Sequence, residues 1–300
     1  MAVHCTVRRV FAAVVVTYSA PADVLDRCLR SIFEAGGVDR VVVVDTGGVA
    51  IVAADLADGV ELLVMDNRGY GAAANRGFAA VADAAAIALL NDDVVVRPGW
   101  FVPLVSAVRA PTVGAAQPAL VGADHDVVTS LGVELDRYGA GSDIGDGEPL
   151  PVERAPIDLH IFNGGTVVFD PEFLRDTGGF DESLFLYYED VDLALRGRRR
   201  GWRYVLVPES VVEHRRGTTT GADVTGTRFH QERNRLRTAF RFGSVATVGR
   251  AVWLSVRRLR HEPRAVHRRA FVAGLACAPG CLAARCREVV RGPGTRTERR

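Results

Sequence analysis

Leu89-Leu90-Asn91-Asp92-Asp93-Val94 is an apolar run that ends in an amide and two adjacent carboxylates. Neighbouring Asp side chains repel, so they persist where a cation or a sugar hydroxyl holds them, and hard divalent ions such as Mg²⁺ or Mn²⁺ take oxygen ligands. Read outward, the apolar part (Ile87 to Leu90) is one of several near-continuous runs, with Val10 to Thr17, Val41 to Val44 and Leu62 to Met65 before it. Between them lie helical spacings. Ala22 to Ala35 puts Leu25, Cys28, Leu29 and Ile32 on one face, and a Gly/Ala-rich segment runs from Gly71 to Ala85. Continuous strands alternating with helices predict an α/β domain whose parallel sheet is covered on both faces.

Ligands of such sheets bind beyond the carboxyl ends of the strands, and Thr17, Asp45, Asp66-Asn67 and Asn91-Asp92-Asp93 all fall at those ends. Further along, the alternation weakens. A helix is predicted near Trp100 to Val108, a strand at Ala115 to Val121, and a Gly/Asp-rich lid or acceptor loop at Tyr138 to Pro156. Ile161 to Phe169 reads as a strand, with Gly164-Gly165 marking a close backbone approach. Pro171 to Thr177 is a helix closed by Gly178-Gly179. A second acidic cluster, Tyr187-Tyr188-Glu189-Asp190-Val191-Asp192, opens a helix predicted from Asp190 to Arg200, where the dipole favours charged carboxylates. Asp192 reads as an acid placed for that dipole, and Phe185, Tyr187 and Tyr188 as packing residues. A short strand, Tyr204 to Val207, leads to His214, and the chain reads as helical after Phe229.

The 300 residues suit one large α/β domain or a domain with an appendage, and 48% apolar with 24% charged residues exclude a disordered chain. Net charge of +1 hides an asymmetry: residues 245–300 hold thirteen Arg against three Glu, a net of +10, leaving −9 for residues 1–244. The division drawn from this is an α/β domain at 10–244, which the resemblance given below implies is the catalytic one, and a basic helical extension at 245–300. Val252, Trp253, Leu254, Val256 and Leu259 interleave with arginines, the pattern of a helix lying on an anionic membrane surface or packed with its basic face in solvent. No aromatic-interleaved motif favours nucleic acid. Cys5, Cys28, Cys277, Cys281 and Cys286 form no C-x-x-C pair, and no signal sequence is evident, so a reduced, cytoplasmic setting is expected. Ala270 to Ala284, broken by Pro279-Gly280, is too short to span a bilayer.

Together the motifs Val14-Val15-Val16-Thr17-Tyr18, Val42-Val43-Val44-Asp45, Asn67-Arg68-Gly69-Tyr70-Gly71-Ala72-Ala73-Ala74-Asn75-Arg76-Gly77, Leu90-Asn91-Asp92-Asp93, Gly178-Gly179-Phe180-Asp181-Glu182, Tyr188-Glu189-Asp190-Val191-Asp192-Leu193-Ala194-Leu195-Arg196 and Glu213-His214-Arg215 follow a familiar order. Over residues 10 to 245 the chain resembles the family 2 glycosyltransferases, in particular their rhamnosyltransferase-like branch of cell-wall and polysaccharide assembly. The resemblance implies the GT-A fold, a Rossmann-like mixed sheet with helices on both faces. It also implies a nucleotide-sugar donor carrying dTDP or UDP, a divalent cation (Mg or Mn), a saccharide or lipid-linked saccharide acceptor, and inversion at the anomeric carbon.

Carried over position by position, Thr17, Asp45, Asn67, Gly71, Asn75 and Asp92 would bind the donor, Asp45 at the pyrimidine and Asp92 at the ribose or sugar. Asp93 would hold the metal, and His214 would complete the metal site or contact the diphosphate. Asp190 would be the base, with Glu189 the close second. After Asp45 the chain runs Thr46-Gly47-Gly48 where the family usually has Asn-x-Ser, and Tyr18 is followed by Ser19 rather than Asn or Arg. The competing classes are a catalytically silent nucleotide-sugar-binding or scaffold protein of the same fold, and a nucleotidyltransferase. The latter would carry a basic Gly-rich loop that Tyr18 to Asp23 lacks.

Overall fold

A computed structural model describes residues 9–47, 59–123, 127–152, 155–215, 224–261 and 265–291. Cys5, Gly48 and the last nine residues of the basic tail lie outside the described residues. The first half comprises β1 (Phe11–Thr17), α1 (Ala22–Ala35), β2 (Arg40–Asp45), β3 (Val60–Val64), α2 (Tyr70–Ala80), β4 (Ala86–Asn91), β5 (Val94–Val96) and α3 (Phe101–Val108). It continues through β6 (Val113–Val121), β7 (Val128–Ser130), β8 (Val133–Leu135), β9 (Gly141–Asp143), β10 (Ile157–Leu159) and β11 (Thr166–Phe169). Then come α4 (Pro171–Thr177), α5 (Glu189–Arg199) and β12 (Arg203–His214), and last α6 (Val224–Phe242), α7 (Val245–His261), α8 (Ala265–Ala276) and α9 (Ala278–Arg291).

The main sheet is ordered β10-β12-β6-β11-β4-β1-β2-β3. β3, β2, β1 and β4 are parallel neighbours, and β11 runs antiparallel between β4 and β6, which makes the sheet mixed. Because β12 pairs parallel with β6, the carboxyl ends of β1, β2, β4, β6 and β12 all reach one edge. The reason the strands read as unbroken apolar runs is that successive residues serve opposite layers. Val14, Val16, Val42, Val44, Ile87 and Leu89 pack with Phe78, Phe173 and Leu193 of α2, α4 and α5. Ala13, Val15, Val41, Val43, Ala88 and Leu90 pack with Leu25, Ile32, Phe101 and Leu104 of α1 and α3.

Three expectations change in detail. The strand at Ile161 to Phe169 is confined to β11, because Asn163-Gly164-Gly165 forms a turn in which Gly165 N–H donates to Asn163 Oδ1 at 2.8 Å. The short strand expected at Tyr204 to Val207 extends to His214 past an irregularity between Val207 and Val211. The expected lid at Tyr138 to Pro156 contains β9, paired antiparallel with β8, and Leu131 N–H donates to Ile144 O at 2.9 Å, so residues 141–144 are backbone-paired rather than an open loop.

The closing helices form a second core. Leu236, Ala239 and Phe240 of α6 pack with Ala251 of α7 and Cys281 of α9. α6 therefore lies before the boundary expected at 244/245 yet packs across it. Of the five apolar α7 residues expected to form a surface face, only Trp253 is exposed, while Ala251 and Ser255 are buried. The interleaved pattern mostly serves helix packing. No described helix is long and apolar enough to cross a membrane.

Candidate active site

Parallel pairing aligns the residues at the strand ends. Thr17 stands opposite Asp45 in the β1–β2 register, and Val16 opposite Asn91 in the β1–β4 register. The Thr17 hydroxyl hydrogen-bonds the Asp92 carboxylate, and Tyr18 N–H donates to Asp92 Oδ2 at 3.4 Å. Burial pushes the Asp92 carboxyl up to about 6; the Thr17 bond opposes that rise and the neighbouring Asp93 charge adds to it. Asp45, also buried, accepts from Gly47 N–H at 2.9 Å through Oδ1, an Asx turn that fixes its side chain over the end of β2.

His214 reaches this rim through strand pairing. The end of β12 runs antiparallel to β5, placing His214 opposite Val94, and His214 Nε2 lies 3.4 Å from Asp93 Oδ1. Arg215 N–H donates to Asp93 O at 3.1 Å and closes the same corner. A buried carboxylate oxygen beside an imidazole nitrogen is a donor set that Mg²⁺ or Mn²⁺ accepts. Among the described residues no group of three or more His, Cys, Asp or Glu converges as a metal cage. Two protein donors suit a cation completed by water and phosphate oxygens.

Asn163-Gly164-Gly165 joins this rim to the second acidic cluster. Asn91 N–H donates to Gly165 O at 2.8 Å, while Gly164 N–H donates to Asp190 Oδ2 at 3.0 Å. A Cβ on Gly164 would come within 2.9 Å of the Asp190 Cβ, so the close approach marked by the glycine pair is to this carboxylate. Asp190 Oδ1 accepts from Val191 N–H at 2.7 Å. Burial raises both Asp190 and Glu189, and the Asp190 charge raises Glu189 further. This reverses the expectation that the helix terminus would favour their charged forms: loss of water outweighs the dipole at this depth. Two backbone donors pull Asp190 back toward ionisation, whereas Glu189 Oε2 is buried with no hydrogen-bond partner. The backbone thus supports the charged form of Asp190 through two N–H groups.

Three other expected donor residues also have structural partners. Asn75 accepts from Phe180 N–H at 2.9 Å and donates to Phe180 O at 3.0 Å and to Glu182 at 3.2 Å, which spends its amide on the segment before α5. Gly71 abuts the Phe180 side chain, where a Cβ would come within 2.9 Å. Asn67 shapes the turn into α2 by accepting from Gly69 N–H at 3.0 Å. Asp192 is structural, pairing with Arg196 at 2.6 Å and Arg241 at 2.7 Å.

A residue that pattern reading missed supports the acidic pair from behind. Phe185, Tyr187 and Tyr188 all have positive φ (67°, 65° and 70°), a costly conformation for side-chain-bearing residues. Asn234, fully buried on α6, donates to Leu184 O, Leu186 O and Tyr187 O at 3.0, 2.9 and 2.8 Å and holds this strained turn. In Glu232-Arg233-Asn234-Arg235 the signal is hidden, because an amide among charges reads as a solvated face.

This architecture, a mixed sheet whose strand ends meet one carboxylate-lined rim, is that of the GT-A glycosyltransferases. The structure of GalNAc-T7 with UDP, GalNAc and Mn²⁺ superposes with a TM-score of 0.65 at 14% identity, covering 94% of this chain and 57% of that one. The mannosyltransferase PcManGT from Pyrobaculum calidifontis, solved with GDP-Man and Mn²⁺, gives 0.55 at 18% identity over 95% and 81%. Residues 8–240 match the family described as "Glycosyltransferase like family 2", and the chain belongs to it. The N-acetylglucosaminyl-diphospho-decaprenol L-rhamnosyltransferase of Mycobacterium tuberculosis is 32% identical over 244 residues, 71% of this chain and 78% of that protein. The protein is thus a glycosyltransferase, as its motifs imply.

Proposed function

We propose that the protein is an inverting transferase that moves a sugar, rhamnose in the favoured case, from a dTDP- or UDP-linked donor to a saccharide carried on a lipid diphosphate. The rhamnosyl and lipid-linked parts of this reading are supported by the rhamnosyltransferase relative. The observation that carries the chemistry is Asp190, half-buried and held by two backbone N–H groups at the edge of a cavity of about 530 Å³.

The donor would lie along the rim, with Asp45 at its base, Thr17 and Asp92 toward its ribose or sugar, and Asp93 with His214 at its diphosphate and cation. A bound Mg²⁺ or Mn²⁺ would offset the charge that builds on the leaving diphosphate. An acceptor hydroxyl entering from the cavity attacks the anomeric carbon as the carbon–oxygen bond to the diphosphate breaks. Its proton passes to Asp190, and displacement from the opposite face inverts the centre. Two backbone N–H groups that favour its ionised form fit Asp190 to this role.

The test is transfer from dTDP-rhamnose and UDP-sugars to N-acetylglucosaminyl acceptors, with the anomeric product read by NMR. Asp190→Asn is expected to lower turnover by about 10²-fold or more with donor affinity near wild type. If Glu189→Gln alone gives that pattern, the base is Glu189; if the product retains configuration, the reading fails.

Association with the cytoplasmic face of a membrane completes the proposal, since a lipid-linked acceptor is presented there and the basic extension suits an anionic surface.

A further inference from the structure

The cavity bordered by Asp190 is not enclosed by the α/β domain alone. Its lining includes Asp143, Tyr188 and Asp190 together with Arg228 and Arg235 of α6 and Arg258 of α7. It therefore carries charges of both signs. Glu232 accepts from Arg235 at 2.8 Å and pairs with Arg258, so that cluster keeps one net positive charge. Arg228 is half-buried and makes no ion pair among the described residues. A cation held part-way out of water toward a cavity is costly until an anion meets it.

We propose that this cavity is the acceptor site and that Arg228, with Arg258, binds a phosphate group of the acceptor. Resting on the transferase reading above, the proposal goes beyond it by assigning the anionic end of the acceptor to the helical unit. A lining that holds both a carboxylate base and arginines suits a two-ended ligand, with a sugar hydroxyl at Asp190 and a phosphate at the arginines. A volume of about 530 Å³ falls in the range of small-molecule sites and holds a phosphorylated sugar. Arginine supplies the planar, multi-donor match that phosphate oxygens favour. Tyr138, whose carbonyl accepts from Arg235 at 2.8 Å, stacks on the exposed Trp253 and puts an aromatic pair beside the cavity's cationic end, where a lipid tail would leave.

The full-length enzyme is assayed with one acceptor sugar in three forms: a neutral alkyl glycoside, the soluble sugar 1-phosphate, and a short-prenyl diphosphate sugar. Wild type is expected to favour the phosphorylated forms in kcat/KM by at least about tenfold, the scale of one charge-assisted hydrogen bond. Arg228→Gln should shrink that ratio toward one, and Arg228→Lys should restore part of it. Equal use of both phosphorylated forms identifies a sugar phosphate as the ligand, and a preference for the prenyl form identifies the lipid carrier. A wild-type ratio near one overturns the proposal, as does a ratio unchanged by Arg228→Gln, which would make the arginine structural or a donor contact. Thermal stabilisation by the sugar 1-phosphate, compared between wild type and Arg228→Gln, tests the site without turnover: loss in the variant supports it, and equal or absent shifts count against it. Absence of transfer to every acceptor would instead sink the transferase reading and leave this binding comparison standing.

Discussion

At the scale of single residues, the site is governed by carboxylates that pay differently for burial. Asp93 has an imidazole nitrogen 3.4 Å away, so replacing it removes the one acid that pairs with His214 among the described residues. Asp93→Ala is expected to abolish the Mn²⁺-dependent part of nucleotide binding, measured by calorimetry with and without the ion; undiminished Mn²⁺ enhancement would take Asp93 out of the metal site. Asp92 is pushed up to about 6, so the folded chain holds its proton more tightly than the unfolded chain does. The stability this confers is complete below about pH 4 and lost as pH rises through about 6. Ligand-free Asp92→Asn should therefore gain Tm on wild type between those values and keep the gain above them, in melts run from pH 4 to 8. A gap that does not change with pH would show that Asp92 titrates normally. For Asp190 the same upward direction acts on rate: activity should fall on acidification at a higher pH than an exposed aspartate would give.

At the scale of elements, what was readable in the chain depended on whether a pattern was local. β1, β2 and β4 were legible because both faces are buried and their central residues must be apolar, and α1 was legible because Leu25, Cys28, Leu29 and Ile32 keep helical spacing. The rim followed from parallel direction alone. The meeting of His214 with Asp93 depends on β5 pairing with β12, a register no periodicity reports, and it was reached only through the ordered motifs. α6 was the hardest to read, since Glu232, Asn234 and Arg235 are buried although their types suggest solvent. Asn75, a motif position, also ties its amide to the segment at Phe180, a contact no periodicity reports. The three donations from Asn234 make α6 the brace of the turn before Glu189. Asn234→Ala would leave three carbonyls short of a donor. A loss of about 1–3 kcal/mol is expected in denaturant unfolding, with a fall in kcat larger than any change in donor affinity. Equal losses in kcat and donor binding would mean that the turn supports the whole fold rather than the base.

Across the whole molecule, the α/β domain and the closing helices are joined by ion pairs as well as apolar contact. Glu288 of α9 receives Arg199 of α5 and Arg241 of α6, and Arg241 also holds Asp192. Removing α7 to α9 would strip the cover from Leu236 and Phe240, so the role of the basic extension is better tested by charge than by truncation. Arg257, Arg260, Arg268 and Arg269 are exposed. Each basic side chain near an anionic surface contributes on the order of 1 kcal/mol. Binding to phosphatidylglycerol vesicles at low salt is expected, with release at high salt and weakening in Arg268→Gln/Arg269→Gln. Full-length protein that ignores such vesicles at low salt would end the membrane reading.

The stacking of Trp253 on Tyr138 also has a spectroscopic side. The chain has three tryptophans, and Trp100 and Trp202 are sealed at 2% and 3% exposure while Trp253 stands 51% exposed. Emission that responds to added quencher therefore comes almost entirely from one indole, stacked on the tyrosine whose carbonyl accepts from Arg235. The protein carries its own optical reporter at the place where acceptor and membrane would meet, and a blue shift or shielding from iodide would register their arrival without any attached dye.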